Sequence, residues 1–240
     1  MKRTDFQHFY VNPANVQPGR LRIDGDEFHH AVKVLRKRPG DALTAVDGQG
    51  ALYYGVIESI EKDAVVLNIL AKEIDVGEPR LKLTLALSPL KGDHFDLAVE
   101  KATELGVTTF QPIVCERSIA GVESRLGRWR HKALTAMKQC GRSVCPTVKR
   151  AVPFEDLFAE PFELVLIAHE DADTPIGAYR DDLRSTVAVL IGPEGGFSDR
   201  EFNFALEHGA KPLSLGNRRL RSETAALAAT VQVMSAAKEI

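Results

Sequence analysis

Residues 187–191 form a run of five small and branched apolar side chains that stops at Gly192-Pro193-Glu194-Gly195-Gly196. An unalternating apolar run of this length predicts a strand covered on both faces, the kind found in parallel sheets with helices on either side. The three glycines then bare the backbone where that strand ends. The same grammar recurs along the second part of the chain. Apolar runs at 81–88, 107–114, 163–169, 186–192 and 212–216 predict strands. Between them lie stretches of helical period. Residues 93–106 place Phe95, Ala98, Ala102 and Leu105 on one face and end at Gly106, and residues 124–140 align Leu126, Trp129, Ala133 and Met137. Ser198 and Glu201 predict a capping box for a helix running to Gly209, and 222–239 predict a last helix. Alternating strands and helices imply an α/β domain with a mostly parallel sheet.

The first part of the chain reads differently. Residues 51–60 and 63–70 are rich in Val, Ile, Leu and Tyr and predict a hairpin. Residues 26–36 predict a helix burying Phe28, Val32 and Leu35, and 37–43 a turn into a further strand. Gly and Pro between polar residues at 75–82 mark a linker. The expected domains are therefore a β-rich module at 1–74 and an α/β domain at 75–240.

Bulk properties exclude several classes. No apolar run is long enough to span a bilayer, and the opening residues, MKRTDFQHFYVNP, lack the apolar core of a secretory signal. Cys115, Cys140 and Cys145 show no CxxC spacing, so neither a zinc site nor a disulfide framework is expected, and a reducing cytoplasm is the expected compartment. The net charge of −2 gives no global case for nucleic acid, so any such case rests on local clusters.

In open α/β sheets ligands bind at the carboxyl ends of strands. Three such ends carry unusual sequence here: IAHE at 167–170, IGPEGGFS at 191–198 and LGNRRLRSETA at 215–225. A phosphate cradle is excluded at the second, because Phe197 stands where a phosphate loop needs Lys-Ser/Thr, and G-x-G-x-x-G is absent. A lone GPEGG could be a tight turn joining strand to helix. The arginine-rich loop some twenty residues later makes a shared pocket the stronger reading.

IGPEGGFS followed by LGNRRLRSETA resembles the two terminal motifs of the SPOUT class of RNA methyltransferases. The chain more specifically resembles the RsmE family, which methylates N3 of a uridine in 16S ribosomal RNA. HHAVKVLR at 29–36, EKATELGV at 100–107, CERS at 115–118 and QCGRSVCP at 139–146 extend the resemblance over nearly all 240 residues, and Arg219 departs from the branched apolar residue usual in the family. The resemblance implies an N-terminal PUA-like RNA-binding β-barrel and a C-terminal SPOUT domain with a trefoil knot. It also implies S-adenosylmethionine bound in the knot, and a homodimer with each site at the subunit interface. No metal is expected.

On this reading Gly192, Gly195, Gly196 and Gly216 allow close approach of the cofactor. Leu190, Ile191, Leu215 and Leu220 flank its ring. Ile167, His169, Ser222, Thr224 and Ala225 complete the expected cofactor set. Methylating N3 requires loss of its proton, and a carboxylate base or an arginine that stabilises the uracil anion serves that need. The candidates are Arg221, Glu194 and Glu223, with Arg117 or Arg142 reaching in from the opposite subunit. The expected RNA contacts are Arg22, then the run Lys33, Arg36, Lys37 and Arg38, and further along Arg117, Arg128, Arg142 and Arg218. A solvated helix face is the plain alternative for the basic residues of the first helix and of 124–140, and a weaker one for the loop that holds Arg218, as helix capping is the alternative for Glu223. The rival functions are a non-catalytic RNA-binding or ribosome-assembly factor and a SPOUT methyltransferase acting on another RNA.

Overall fold

The structure is a computed structural model that describes residues 8–119 and 123–240; part of the opening stretch read for a signal lies outside these. The chain divides into two compact units. One comprises the segment ending at Glu78 together with Leu134–Cys145, the other Pro79–Ala133 with Pro146–Ile240.

The first unit is a six-stranded curled sheet. Its strands are β1 (Phe9–Tyr10), β2 (Val16–Gln17), β3 (Arg20–Asp24), β4 (Ala42–Val46), β5 (Ala51–Ile60) and β6 (Ala64–Ile74), in the order β1-β4-β5-β6-β3-β2. All neighbours are antiparallel except β1 and β4. The hairpin predicted from residues 51–70 is β5–β6, with register shifts after Tyr54 and Ile57. At the first shift a Cβ on Gly55 would sit 2.8 Å from the Asn68 carbonyl oxygen, so only glycine fits. Leu21, Ile23, Ile57, Val65 and Leu67 fill the core. The segment 134–145 is stitched to this sheet by backbone. The Gly50 amide donates to Ser143 O at 3.1 Å and Cys145 N to Gly48 O at 2.9 Å. Glu78 Oε1 accepts from Ser143 N and Val144 N at 3.0 and 2.9 Å.

The helix expected at 26–36 takes another course. α1 (Gly25–His29) gives way to a π-helical turn at His30–Val34, where Leu35 N donates to His30 O at 3.0 Å. The wider turn rotates the residues after it. Phe28 and Ala31 stay buried, but Leu35 is 44% exposed and so is not the core residue its spacing predicts.

The second unit carries the parallel sheet that the alternation predicts. Its strands are β7 (Lys82–Leu87), β8 (Thr109–Val114), β9 (Thr147–Val148), β10 (Val152–Pro153), β11 (Leu164–Ala168), β12 (Thr186–Ile191) and β13 (Lys211–Leu213). The order is β10-β8-β7-β12-β11-β13, with β9 also on β8, and every pairing is parallel. The apolar run at 187–191 is thus a central strand, buried throughout. The helices are α2 (His94–Glu104), the first half of α3 (Leu126–Cys140), α4 (Asp199–Glu207) and α5 (Ser222–Ala236). Gly106 ends α2 at φ +97°, and a Cβ there would meet Met234 Cε at 2.6 Å. The predicted capping box is present: Ser198 Oγ accepts from Glu201 N, and Glu201 Oε2 accepts from Ser198 N at 2.8 Å. The other oxygen of Glu201 accepts from Glu116 N at 2.7 Å, which ties the start of α4 to the end of β8.

Candidate functional site

β7, β11, β12 and β13 are parallel neighbours, so their carboxyl ends lie along one edge of the sheet. The loops that leave those ends line a cavity of about 580 Å³, within the range of small-molecule sites.

The apolar wall comes from Ile191, Leu215 and Leu220, and the bare backbone from Gly192, Gly195, Gly196 and Gly216. Three of the four have a geometric reason to be glycine. A Cβ on Gly192 would press on Phe197 N and Gly196 C at 3.1 and 3.2 Å. Gly196 adopts φ +71° and donates to Pro193 O at 2.9 Å, which closes the turn, and Gly216 lies at φ +105°. Arg117 braces this loop, donating from Nη1 to Gly195 O at 2.7 Å and Phe197 O at 3.2 Å. Arg117 is itself set by the turn after β8, where Cys115 N donates to Ser118 Oγ at 2.7 Å. The Cys115 thiol is pushed up to about 12, chiefly by burial, and is unreactive.

His169 ends β11 and lines the cavity, stacked on Phe202 with centroids 4.1 Å apart. Its Nδ1 accepts from Asp171 N at 3.3 Å. Ser222 and Ala225 join the lining from the first turn of α5. Three members of the expected cofactor set do not line the cavity. Ile167 and Leu190 are fully buried and paired with each other in the sheet, beneath the site. Thr224 is exposed on α5 away from the lining.

The three catalytic candidates all reach the cavity. Glu194 is exposed, and its Oε1 accepts from Lys91 N at 3.0 Å. Arg221 precedes α5 with an exposed side chain. Glu223 is 8% exposed and lies 3.2 Å from His94 Nδ1. Lys91 and His94 are lining residues that the sequence motifs did not single out. They follow β7, a buried apolar run ending in SPLKGDH, which is the same signal that drew attention to the other three strand ends.

The basic residues separate into those with partners and those facing solvent. Arg218 and Arg219 line the cavity and are exposed. Lys33, Arg36 and Arg38 are exposed, whereas Lys37 is half-buried and donates to Ala42 O at 3.2 Å. Arg22 is held by Glu61 and Asp63 at 3.2 and 2.7 Å, and Arg128 by Asp93 at 2.7 Å and by Asp96. On α3, Arg130 donates to Val148 O at 3.2 Å and Lys132 pairs with Glu100 at 3.5 Å. Arg142 corrects an expectation. Its side chain is 4% exposed and its Nη2 lies 2.7 Å from Glu78, so it has neither the exposure nor the free donors for a phosphate or a partner's site. Arg117 is corrected in one respect: it lines the pocket of its own chain and is occupied in bracing the loop.

A glycine-backed pocket at parallel strand ends, with three exposed arginines at its rim, has the form of a small-molecule site. The matching families agree on the class: RNA methyltransferase domain over residues 77–234, and RNA methyltransferase PUA domain over 23–70. Over 230 residues the chain is 30% identical to ribosomal RNA small subunit methyltransferase E of Synechocystis, covering 93% of this chain and 75% of the relative. The chain belongs to the ribosomal RNA small subunit methyltransferase E family. The Neisseria gonorrhoeae member, whose crystal structure is bound to S-adenosyl methionine, superposes with a TM-score of 0.88 at 32% identity, over 95% of this chain and 97% of that one. A Legionella pneumophila methyltransferase in complex with bound cofactor SAM gives a TM-score of 0.84 at 32% identity, over 96% and 98% of the two chains.

Proposed function

We propose that this protein transfers a methyl group from S-adenosylmethionine to N3 of a uridine in the 16S RNA of the small ribosomal subunit. The observation that carries this reading is the cavity itself. An apolar wall, glycine backbone and a rim of Arg218, Arg219 and Arg221 converge there from neighbouring strand ends. The residues present fit the cosubstrate. A Cβ on Gly192 would press on the loop's own backbone at Phe197 and Gly196, so the tight turn that bares backbone beside the cavity depends on glycine, and bare backbone of this kind can approach the edge of an adenine closely. His169, Ile191, Gly192, Gly195 and Gly196 would hold it from one side. Leu215, Gly216, Leu220, Ser222 and Ala225 would hold it from the other. When bound, it supplies a methyl group on a positively charged sulfur. The protein's own task is to orient the uracil, exclude water and remove or stabilise the N3 proton. Arg221 is assigned to the uracil anion, and the exposed arginines of the same loop to the neighbouring phosphates.

The division of labour belongs to the same reading: residues 1–74 grip RNA and 75–240 carry the chemistry. So do the knot that the resemblance implies and a cytoplasmic location, the compartment of the ribosome. Among the described residues no helix is long and apolar enough to cross a membrane. A homodimer is supported by α5, which is apolar around much of its circumference yet leaves Val231 41% exposed, and by Leu97 on α2, 42% exposed. The test is methylation of small subunits from a strain lacking the modification, with mass mapping of the product. N3-methyluridine at one position is expected. Methylation of another atom, or none, overturns the assignment.

A further inference from the structure

We propose that His94, held by Glu223, is the base that takes the N3 proton of the uracil. This rests on the methyl transfer proposed for the cavity and adds the group it leaves open.

Two histidines line the cavity, and their neighbours set them in opposite roles. His169 Nδ1 accepts a backbone N–H, so its proton sits on Nε2 and the ring offers a ligand a donor. His94 is the reverse. Its Nδ1 faces the Glu223 carboxylate at 3.2 Å, which favours the proton on Nδ1 and leaves the Nε2 lone pair for a ligand. The carboxylates are poorer bases. Glu194 Oε1 is taken by Lys91 N, and Glu223 is buried with an oxygen already committed to His94. His94 opens α2 beside the glycine loop, with its side chain 45% exposed, so it can reach a substrate and return a proton to solvent.

The step balances. The N3–H bond breaks and its proton passes to His94 Nε2. The N3 lone pair takes the methyl group, the sulfur keeps the electrons of the broken S–C bond, and a neutral thioether leaves. The imidazolium is stabilised by Glu223 and then loses its proton to water. The charged groups that line the cavity act on the two partners in opposite ways: cations favour the uracil anion, and carboxylates favour the imidazolium. Arg218, Arg219, Arg221, Arg117 and Lys91 line the cavity and favour the uracil anion, against Glu194, Glu170 and Glu223. Asp93, next to His94, is neutralised by Arg128.

The test uses the full-length protein, saturating S-adenosylmethionine and small subunits lacking the modification, in single turnover. His94→Gln is expected to lower the transfer rate by about 10²-fold or more, with affinities for cosubstrate and subunit unchanged within threefold. The wild-type rate is expected to rise with pH and then level off, as general-base catalysis requires. His94→Gln is expected to lack that rise, and Glu223→Gln, which removes the carboxylate facing His94 Nδ1, to lower the transfer rate with cosubstrate affinity unchanged. Added imidazole is expected to restore part of the rate of His94→Ala. A His94→Gln rate within threefold of wild type, or a loss confined to binding, overturns the proposal. If wild-type protein yields no N3-methyluridine, the functional reading fails. If it does and His94→Gln matches it, only the role of His94 fails.

Discussion

The glycines of the 192–196 loop are not equivalent. A Cβ on Gly192 meets the backbone of a closed turn, which would have to shift to admit it, whereas one on Gly195 meets Arg117 Cδ at 3.3 Å, part of a flexible side chain. Gly192→Val is therefore expected to weaken S-adenosylmethionine binding at least tenfold, and Gly195→Ala by less than threefold, by calorimetry on folded variants. Equal losses would show that the loop acts as a unit. Arg221→Ala is expected to reduce turnover at saturating RNA, since it removes an interaction made with the uracil anion rather than the ground state. A change confined to RNA affinity would return Arg221 to phosphate binding. Elsewhere, burial holds the His8 imidazole below its ordinary value of 6.5, beside Thr44 Oγ1 at 2.9 Å. A depressed folded pKa gives a contribution complete above about 6.5 and lost as pH falls through the folded value. His8→Gln is expected to flatten that part of the stability profile, read from urea midpoints between about pH 7.5 and 5.

Among the elements, α4 shows how a local signal acquires a tertiary task. Ser198 and Glu201 start the helix as their spacing predicts, but Glu201 is 2% exposed and also accepts from Glu116 N. Its replacement strips a cap and leaves a backbone donor unpaired, together about 2–4 kcal/mol. Glu201→Ala is expected to lose that much in denaturant unfolding, and Asp199→Ala, exposed in the same turn, less than about 0.5 kcal/mol. Because Glu116 adjoins Arg117, Glu201→Ala is also expected to loosen the glycine loop and weaken cosubstrate binding. Unchanged affinity would show that the loop is held by Arg117 alone.

For the whole molecule, separation of tasks is the testable property. Lys33 and Arg38 are exposed in the first unit, without the αL backbone of Arg36 (φ +54°) or the hydrogen bond of Lys37. Lys33→Ala/Arg38→Ala is expected to raise KM for the subunit and leave cosubstrate affinity alone. Each lost phosphate contact should reduce the log–log salt slope by about 0.7 to 0.9. An unchanged slope would place the RNA elsewhere. The Arg142–Glu78 pair is structural. Arg142→Ala leaves a buried carboxylate without its cation, expected to cost about 3–5 kcal/mol of stability. Light scattering is expected to show a dimer at micromolar concentration. A monomer would remove the role given to the exposed apolar residues of α2 and α5.

The sequence by itself determined the elements whose signals are local. Buried strands announce themselves as apolar runs, Gly106 and the Ser198–Glu201 pair mark helix ends, and the two glycine and arginine loops mark strand ends that line the cavity. What it left open depends on which residues meet. Nothing in the spacing of 26–36 reveals a π-helical turn, because the competing hydrogen bonds differ by one residue and packing decides between them. Ile167 and Leu190 read as pocket residues because they adjoin the loops, but the pleat turns them into the core. Arg142 reads as an RNA contact until Glu78, 64 residues away, is placed against it. His94 and Glu223 lie 129 positions apart in sequence. Only the pairing of β7 with β12, and the return of the chain through β13, bring the first turns of α2 and α5 to one cavity. Chemistry between two side chains is a property of distance in space, and the parallel sheet sets that distance.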